Sequence, residues 1–146
     1  MKALDSFWQK QVCPIFNGIL YDDGRMLSVK FDGFEKIEFS NQITVDTFLN
    51  EKGANYVTNI HINGLIEVGS EEGFVAFGGG NFEEDAFFAY VKNDSPKWML
   101  FLGNAEEFTS CQLKEENLIE LSDKDKKWVW QLDIKDPSKI RVCFNP

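Results

Sequence analysis

Gly73-Phe74-Val75-Ala76-Phe77-Gly78, Ala86-Phe87-Phe88-Ala89-Tyr90-Val91 and Trp98-Met99-Leu100-Phe101-Leu102 are short runs that are apolar at every position or nearly so. A strand with one wet face alternates apolar and polar residues; a continuous apolar run belongs to a strand covered on both faces. Asn93-Asp94-Ser95-Pro96 separates the last two runs and is a turn signal. Three such strands in succession are expected to be covered twice, as in the middle of a sandwich or in a sheet packed under helices.

Working outward, most of the chain reads as extended. Asp23-Gly24 lies between Ile19-Leu20-Tyr21 and Met26–Phe31, the pattern of a hairpin. Phe34-Glu35-Lys36-Ile37-Glu38-Phe39 is placed to pair next. In Asn59–Asn63, Ile60 and Ile62 share one face; Gly64 interrupts the run and Leu65–Val68 resumes it. Trp128, Trp130, Leu132 and Ile134 alternate with Val129, Gln131 and Asp133, and Asp136-Pro137-Ser138-Lys139 is expected to turn the chain into a last strand through Ile140–Phe144. Two helices stand apart. Leu4, Phe7, Trp8 and Val12 recur at helical spacing over 2–12, before Pro14. Over 45–52, Val45, Phe48 and Leu49 share a face, with Thr44 as cap and Gly53 as stop. The expected fold is α+β and mostly β. It is an antiparallel curved sheet, sandwich or barrel of about nine to eleven strands, with an N-terminal helix and one short further helix. No internal repeat or low-complexity linker divides it, so residues 1–146 are read as a single domain.

Composition narrows the function. The chain has 146 residues, with 24 acidic side chains against 15 lysines and arginines, a net charge of −9. That balance argues against coating nucleic acid, which needs clustered cations. No apolar run approaches the roughly 20 residues of a membrane-spanning helix, and Asp5, Gln9, Lys10 and Gln11 interrupt any signal-peptide core. Cys13, Cys111 and Cys143 match neither a zinc spacing nor a Cys-x-x-Cys pair. An odd count without a leader fits reduced thiols in a cytoplasmic protein, each expected to be buried as a small hydrophobe.

The most unusual feature is where charge is missing. No lysine or arginine occurs between Lys52 and Lys92, an interval holding Glu67, Glu71, Glu72, Glu83, Glu84 and Asp85. Such intervals usually serve solubility alone. If the loops around 69–73 and 78–85 lie at one end of the sheet, however, these acids form a concentrated negative surface suited to a basic protein. Phe77 and Phe82 flank the second loop as candidate aromatic anchors. Glu71, Glu72, Phe82, Glu83, Glu84 and Asp85 are therefore the expected partner-binding residues.

Other constellations carry less. Gly78-Gly79-Gly80 lacks the Lys-Ser/Thr of a phosphate loop, and the acids that follow would repel phosphate; a flexible bulge or hairpin loop is the simpler account. His61, the one histidine, could act as a base beside a cysteine or a carboxylate, yet its strand neighbours Asn59 and Asn63 suggest an ordinary polar face. Asp123-Lys124-Asp125 starts like a calcium loop without its later glycine and glutamate. Four tryptophans and 14 phenylalanines fit a packed core better than the lining of an apolar ligand cavity. Nothing here points to a cofactor, a metal or a catalytic set.

The acidic interval Glu67–Asp85, the Gly78–Phe82 loop and a histidine without partners give the chain a general character similar to the immunity proteins of bacterial toxin–immunity systems. Those proteins bind and block a cognate toxin domain, often a basic nuclease. The resemblance spans the whole chain and rests on no motif. It implies a binding protein rather than an enzyme, acting on a basic protein partner. A β-barrel carrier of a small apolar ligand is one alternative. A small hydrolase using acids or a Cys–His pair is another.

Overall fold

A computed structural model describes residues 3–31, 37–68, 73–81, 85–103, 105–115 and 117–144. In chain order the elements are α1 (Ala3–Lys10), β1 (Val12–Pro14), β2 (Gly18–Tyr21), β3 (Arg25–Phe31), β4 (Ile37–Thr44), α2 (Val45–Lys52), β5 (Val57–Asn59), β6 (His61–Glu67) and β7 (Gly73–Gly79). They continue with β8 (Ala86–Lys92), β9 (Ser95–Leu102), β10 (Ser110–Leu113), β11 (Leu118–Ser122), β12 (Trp128–Asp133) and β13 (Asp136–Phe144). Among the described residues these thirteen strands form three antiparallel sheets. One has seven strands in the order β4-β3-β2-β9-β8-β7-β6, one has four in the order β10-β11-β12-β13, and β1 pairs with β5. The large sheet does not close into a barrel; it ends on β4 and β6.

The three apolar runs become β7, β8 and β9, side by side within the large sheet. Side chains alternate between its faces. On one face Phe87, Ala89, Val91, Met99 and Phe101 pack with Leu4 of α1, Val45 and Phe48 of α2, and Cys13 of β1. On the other, Phe88, Tyr90, Trp98, Leu100 and Leu102 meet Ile119, Leu121, Trp130, Leu132 and Val142 of the four-stranded sheet. Double coverage is thus the reason these runs tolerate no polar residue. Phe87 and Phe88 are both fully buried, and each contributes about 1.5–3 kcal/mol relative to exposure. Trp98 ties the layers with a polar bond as well: its indole N–H donates to the Ile134 carbonyl at 2.7 Å.

The rings pack on one another through this second layer. Phe31 meets Trp130 with centroids 4.8 Å apart, Phe88 meets Trp98 at 5.3 Å, and Phe108 meets Trp130 at 6.0 Å. Edge-on and tilted pairs of this kind add to area burial.

Local signals landed well at turns and caps. Asn93 and Asp94 have φ of 54° and 62°, the left-handed pair that a two-residue hairpin requires. Thr44 caps α2 by accepting from the Thr47 amide. Elsewhere boundaries moved. The first helix stops at Lys10 rather than 12: Gln11 is left-handed at φ 54°, and Val12 enters β1 to pair with Asn59. The last reversal falls at Ile134–Lys135, not at Asp136–Lys139, and Pro137 lies inside β13, which is an edge strand where a missing amide is tolerated.

Both edges of the large sheet carry a β-bulge. In β4, Asn41 is the extra residue between Leu27↔Gln42 and Ser28↔Ser40. In β6 the shift falls between Ile62 and Gly64. An inserted residue flips the alternation. Ile62 therefore packs toward the helices and Ile66 toward the four-stranded sheet, although both are even positions of one strand.

Candidate functional site

A meander of antiparallel strands reverses at alternate ends. The connection from β6 to β7 opens beside the Glu67↔Phe74 pair, and that from β7 to β8 beside Gly79↔Ala86. Seven residues of β7 separate these ends by about 20 Å. The single negative surface expected from both loops requires them at the same end; the described strand ends that flank the two connections lie at opposite ends of β7. Glu71 and Glu72 belong to the first connection, Phe82, Glu83 and Glu84 to the second; these five lie outside the described residues. Asp85 is described and is only 5% exposed. Its carboxylate is turned against the backbone at Gly80 and Gly103, so it forms a wall of the site rather than part of an outer face.

The glycine run has a packing cause. Gly78 and Gly79 are buried residues of β7, not a flexible loop. A Cβ at Gly78 would lie 1.9 Å from the His61 carbonyl oxygen; at Gly79, 2.7 Å from the Asp85 carbonyl oxygen and from the Glu107 Cβ; at Gly80, 2.7 Å from Asp85 Oδ2. The chain is glycine here because three segments converge on it. They are the start of β6, the entry to β8 and the stretch before β10. The Phe108 amide donates to the Gly78 carbonyl at 3.0 Å, and the Asn63 side-chain amide donates to the Phe108 carbonyl at 2.8 Å.

That convergence pairs His61 with Glu107. His61 Nε2 and Glu107 Oε2 are 2.8 Å apart, with side chains 48% and 37% exposed. With Nε2–H donating to the carboxylate, a neutral ring keeps Nδ1 as an open acceptor. Sequence reasoning weighed a base–carboxylate pair for His61 without naming Glu107. The residues are 46 apart, and no local pattern connects them. Asn17 was also missed: its side-chain oxygen accepts the Gly103 amide at 2.7 Å, and Gly103 adjoins Asp85.

The thiols are placed unequally. Cys13 is wholly buried and burial pushes its thiol far above the ordinary range. Cys111 is partly buried and pushed up to about 12. Neither supplies a thiolate nucleophile near neutral pH. Cys143, expected to be buried, is exposed, because it lies on the outward face of edge strand β13. Among the described residues no three His, Cys, Asp or Glu side chains gather as a metal set, and no helix is long and apolar enough to cross a membrane.

Charge is segregated by the fold. Residues 110–146, which supply the four-stranded sheet, contain seven acids and seven cations; residues 1–109 contain 17 acids and eight cations and carry the entire −9. The outer face of the small sheet has an open depression of about 510 Å³ bordered by Lys139 and Arg141. No family model, curated protein or solved structure matches this chain.

Proposed function

We propose that this protein is an acidic binding protein that neutralises a cognate basic protein, a toxin domain in an immunity setting, by protein–protein contact. The observation that supports the reading is the segregation of charge. The large-sheet part of the chain holds the whole net charge, and from Gly53 to Val91 it has no lysine or arginine. Separated charge of this kind speeds and orients encounter with an oppositely charged surface. Glu67 and Glu106 are exposed in this part of the chain; Glu71, Glu72, Glu83 and Glu84, which belong to the same acidic interval and add to its field, lie outside the described residues.

The test is association with the basic protein recovered on the immobilised chain, then purified. Its association rate is expected to fall steeply as salt rises, because the Debye length shrinks from roughly 10 Å at 0.1 M to 3 Å at 1 M. Glu83→Lys with Glu84→Lys is expected to slow association at least tenfold while the melting temperature holds. Tight binding that is indifferent to salt overturns the steering mechanism.

A second reading rests on the 2.8 Å contact of His61 with Glu107. A carboxylate that orients imidazole is the arrangement of a general base, and it supports a small hydrolase. A His61→Gln variant that keeps full biological activity removes it.

A further inference from the structure

We propose that β6 is the docking edge, and that it receives an extended, basic segment of the partner as an added antiparallel strand. This rests on the binding reading above and specifies its mode. β6 is the last strand of the seven, hydrogen-bonded as a ladder on one side only by β7, while β10 of the four-stranded sheet runs close to it without pairing. Among the described residues, the backbone groups of His61–Glu67 make no main-chain hydrogen bond outside that ladder. An open edge is a template for another strand, and proteins commonly guard it with lysine or proline. β6 has neither. Its bulge shields the first half only. Gly64–Glu67 continue in regular register with Phe77–Phe74.

The side chains fit the same occupant. Leu65 is 60% exposed, the most open large hydrophobic side chain among the described residues. It lies on the helix-side face across from Ala76, where an incoming apolar residue would find contact. Gly64 has no side chain of its own, and the Phe77 ring covers it, with Cζ 2.5 Å from where a Cβ would be. Gly64 is thereby backed by an aromatic, a device known to stabilise glycine in strands. Glu67 is exposed beyond Leu65, and the strands next to this edge lack lysine and arginine up to Val91. A second copy of the chain would bring the same acids to the same edge and is repelled; a strand alternating lysine with an apolar residue is attracted.

The opposite edge is a useful contrast. β4 exposes Ser40, Asn41 and Gln42 in succession and has no exposed apolar residue to anchor a partner. Main-chain bonds would supply affinity at β6, and Leu65 and Glu67 would select the sequence, as in other strand-addition complexes.

The experiment uses an eight-residue capped peptide of alternating lysine and valine, titrated into the full chain and followed by amide hydrogen exchange. Binding is expected to protect amides of Gly64–Glu67. Methylating alternate peptide nitrogens keeps every charge and side chain but deletes ladder bonds, and is expected to weaken binding at least tenfold. Glu67→Lys is expected to weaken the parent peptide at least fivefold. Equal binding of the methylated peptide, protection confined to other strands, or a concentration-dependent dimer through β6 each overturns the strand mode. Those results leave the salt dependence of partner association intact, so this mode can fail while the binding reading stands.

Discussion

Replacing Gly78 with alanine is the sharpest test of why the glycine run exists. The new methyl would sit 1.9 Å from the His61 carbonyl oxygen and 3.0 Å from the Asn63 amide nitrogen, both main-chain atoms. An unstrained contact is about 3.5 Å, so the backbones must part by roughly 1.5 Å. No rotamer change relieves this, because nothing in the contact is a flexible side chain. Strand β7 is also paired on its far side, where Gly78 opposes Phe87, so it has no free direction to retreat. Overpacking of this kind costs about 1–3 kcal/mol, and each ladder bond lost adds about 1 kcal/mol. A total of about 3–5 kcal/mol lowers the melting temperature by roughly 10 °C in a chain of this size. Gly24→Ala is the control. Its φ is +92° and nothing lies within 4 Å of the added carbon, so its cost is strain alone, about 1–2 kcal/mol. Thermal and urea unfolding followed by circular dichroism measure both. If Gly78→Ala melts no lower than Gly24→Ala, the close-approach explanation is wrong and the run is a flexible segment after all.

Three further outcomes follow from particular contacts. Trp98→Phe strands the buried Ile134 carbonyl and leaves a small void, and is expected to cost about 2–4 kcal/mol in urea denaturation; a loss below about 1 kcal/mol would mean the layers are held by packing alone. Of the three thiols, Cys143 is expected to react with a chromogenic disulfide at once, with Cys111 and Cys13 following only on unfolding; rapid titration of all three contradicts the burial described. The Asp23 carboxyl is held below the usual range, first by the Arg25 backbone amide and then by the Arg25 guanidinium. Its small contribution to stability is present above the ordinary carboxylate pKa and is lost as pH falls through the lowered folded value. Carboxyl NMR should show this, with Arg25→Ala abolishing the guanidinium's part of the downward shift, and an ordinary Asp23 titration would remove the interaction.

Much of the architecture was legible because burial writes itself into local pattern. Continuous apolar runs at 73–78, 86–91 and 98–102 announced strands sandwiched between layers, and β7, β8 and β9 are that. Thr44 and Gly53 bounded α2 because capping is decided within four residues. Asn93-Asp94 specified its hairpin for the same reason. The candidate site was not legible. Which strand ends lie together depends on how strands pair, and β6-β7-β8 pair in succession, so the ends at Glu67↔Phe74 and Gly79↔Ala86 are opposite ones.

By itself, then, the amino-acid order determined a mostly-β chain with two helices, its doubly covered strands, its turns and its strongly negative first three-quarters. Each depends on residues near one another along the chain. Tertiary structure alone decided that Ile62 and Ile66 face opposite layers across a bulge, that Gly78–Gly80 are glycines for want of space, and that His61 meets Glu107. Those outcomes belong to contacts between segments 5 to 46 residues apart, and their closeness is set by strand register, which no single stretch of sequence encodes.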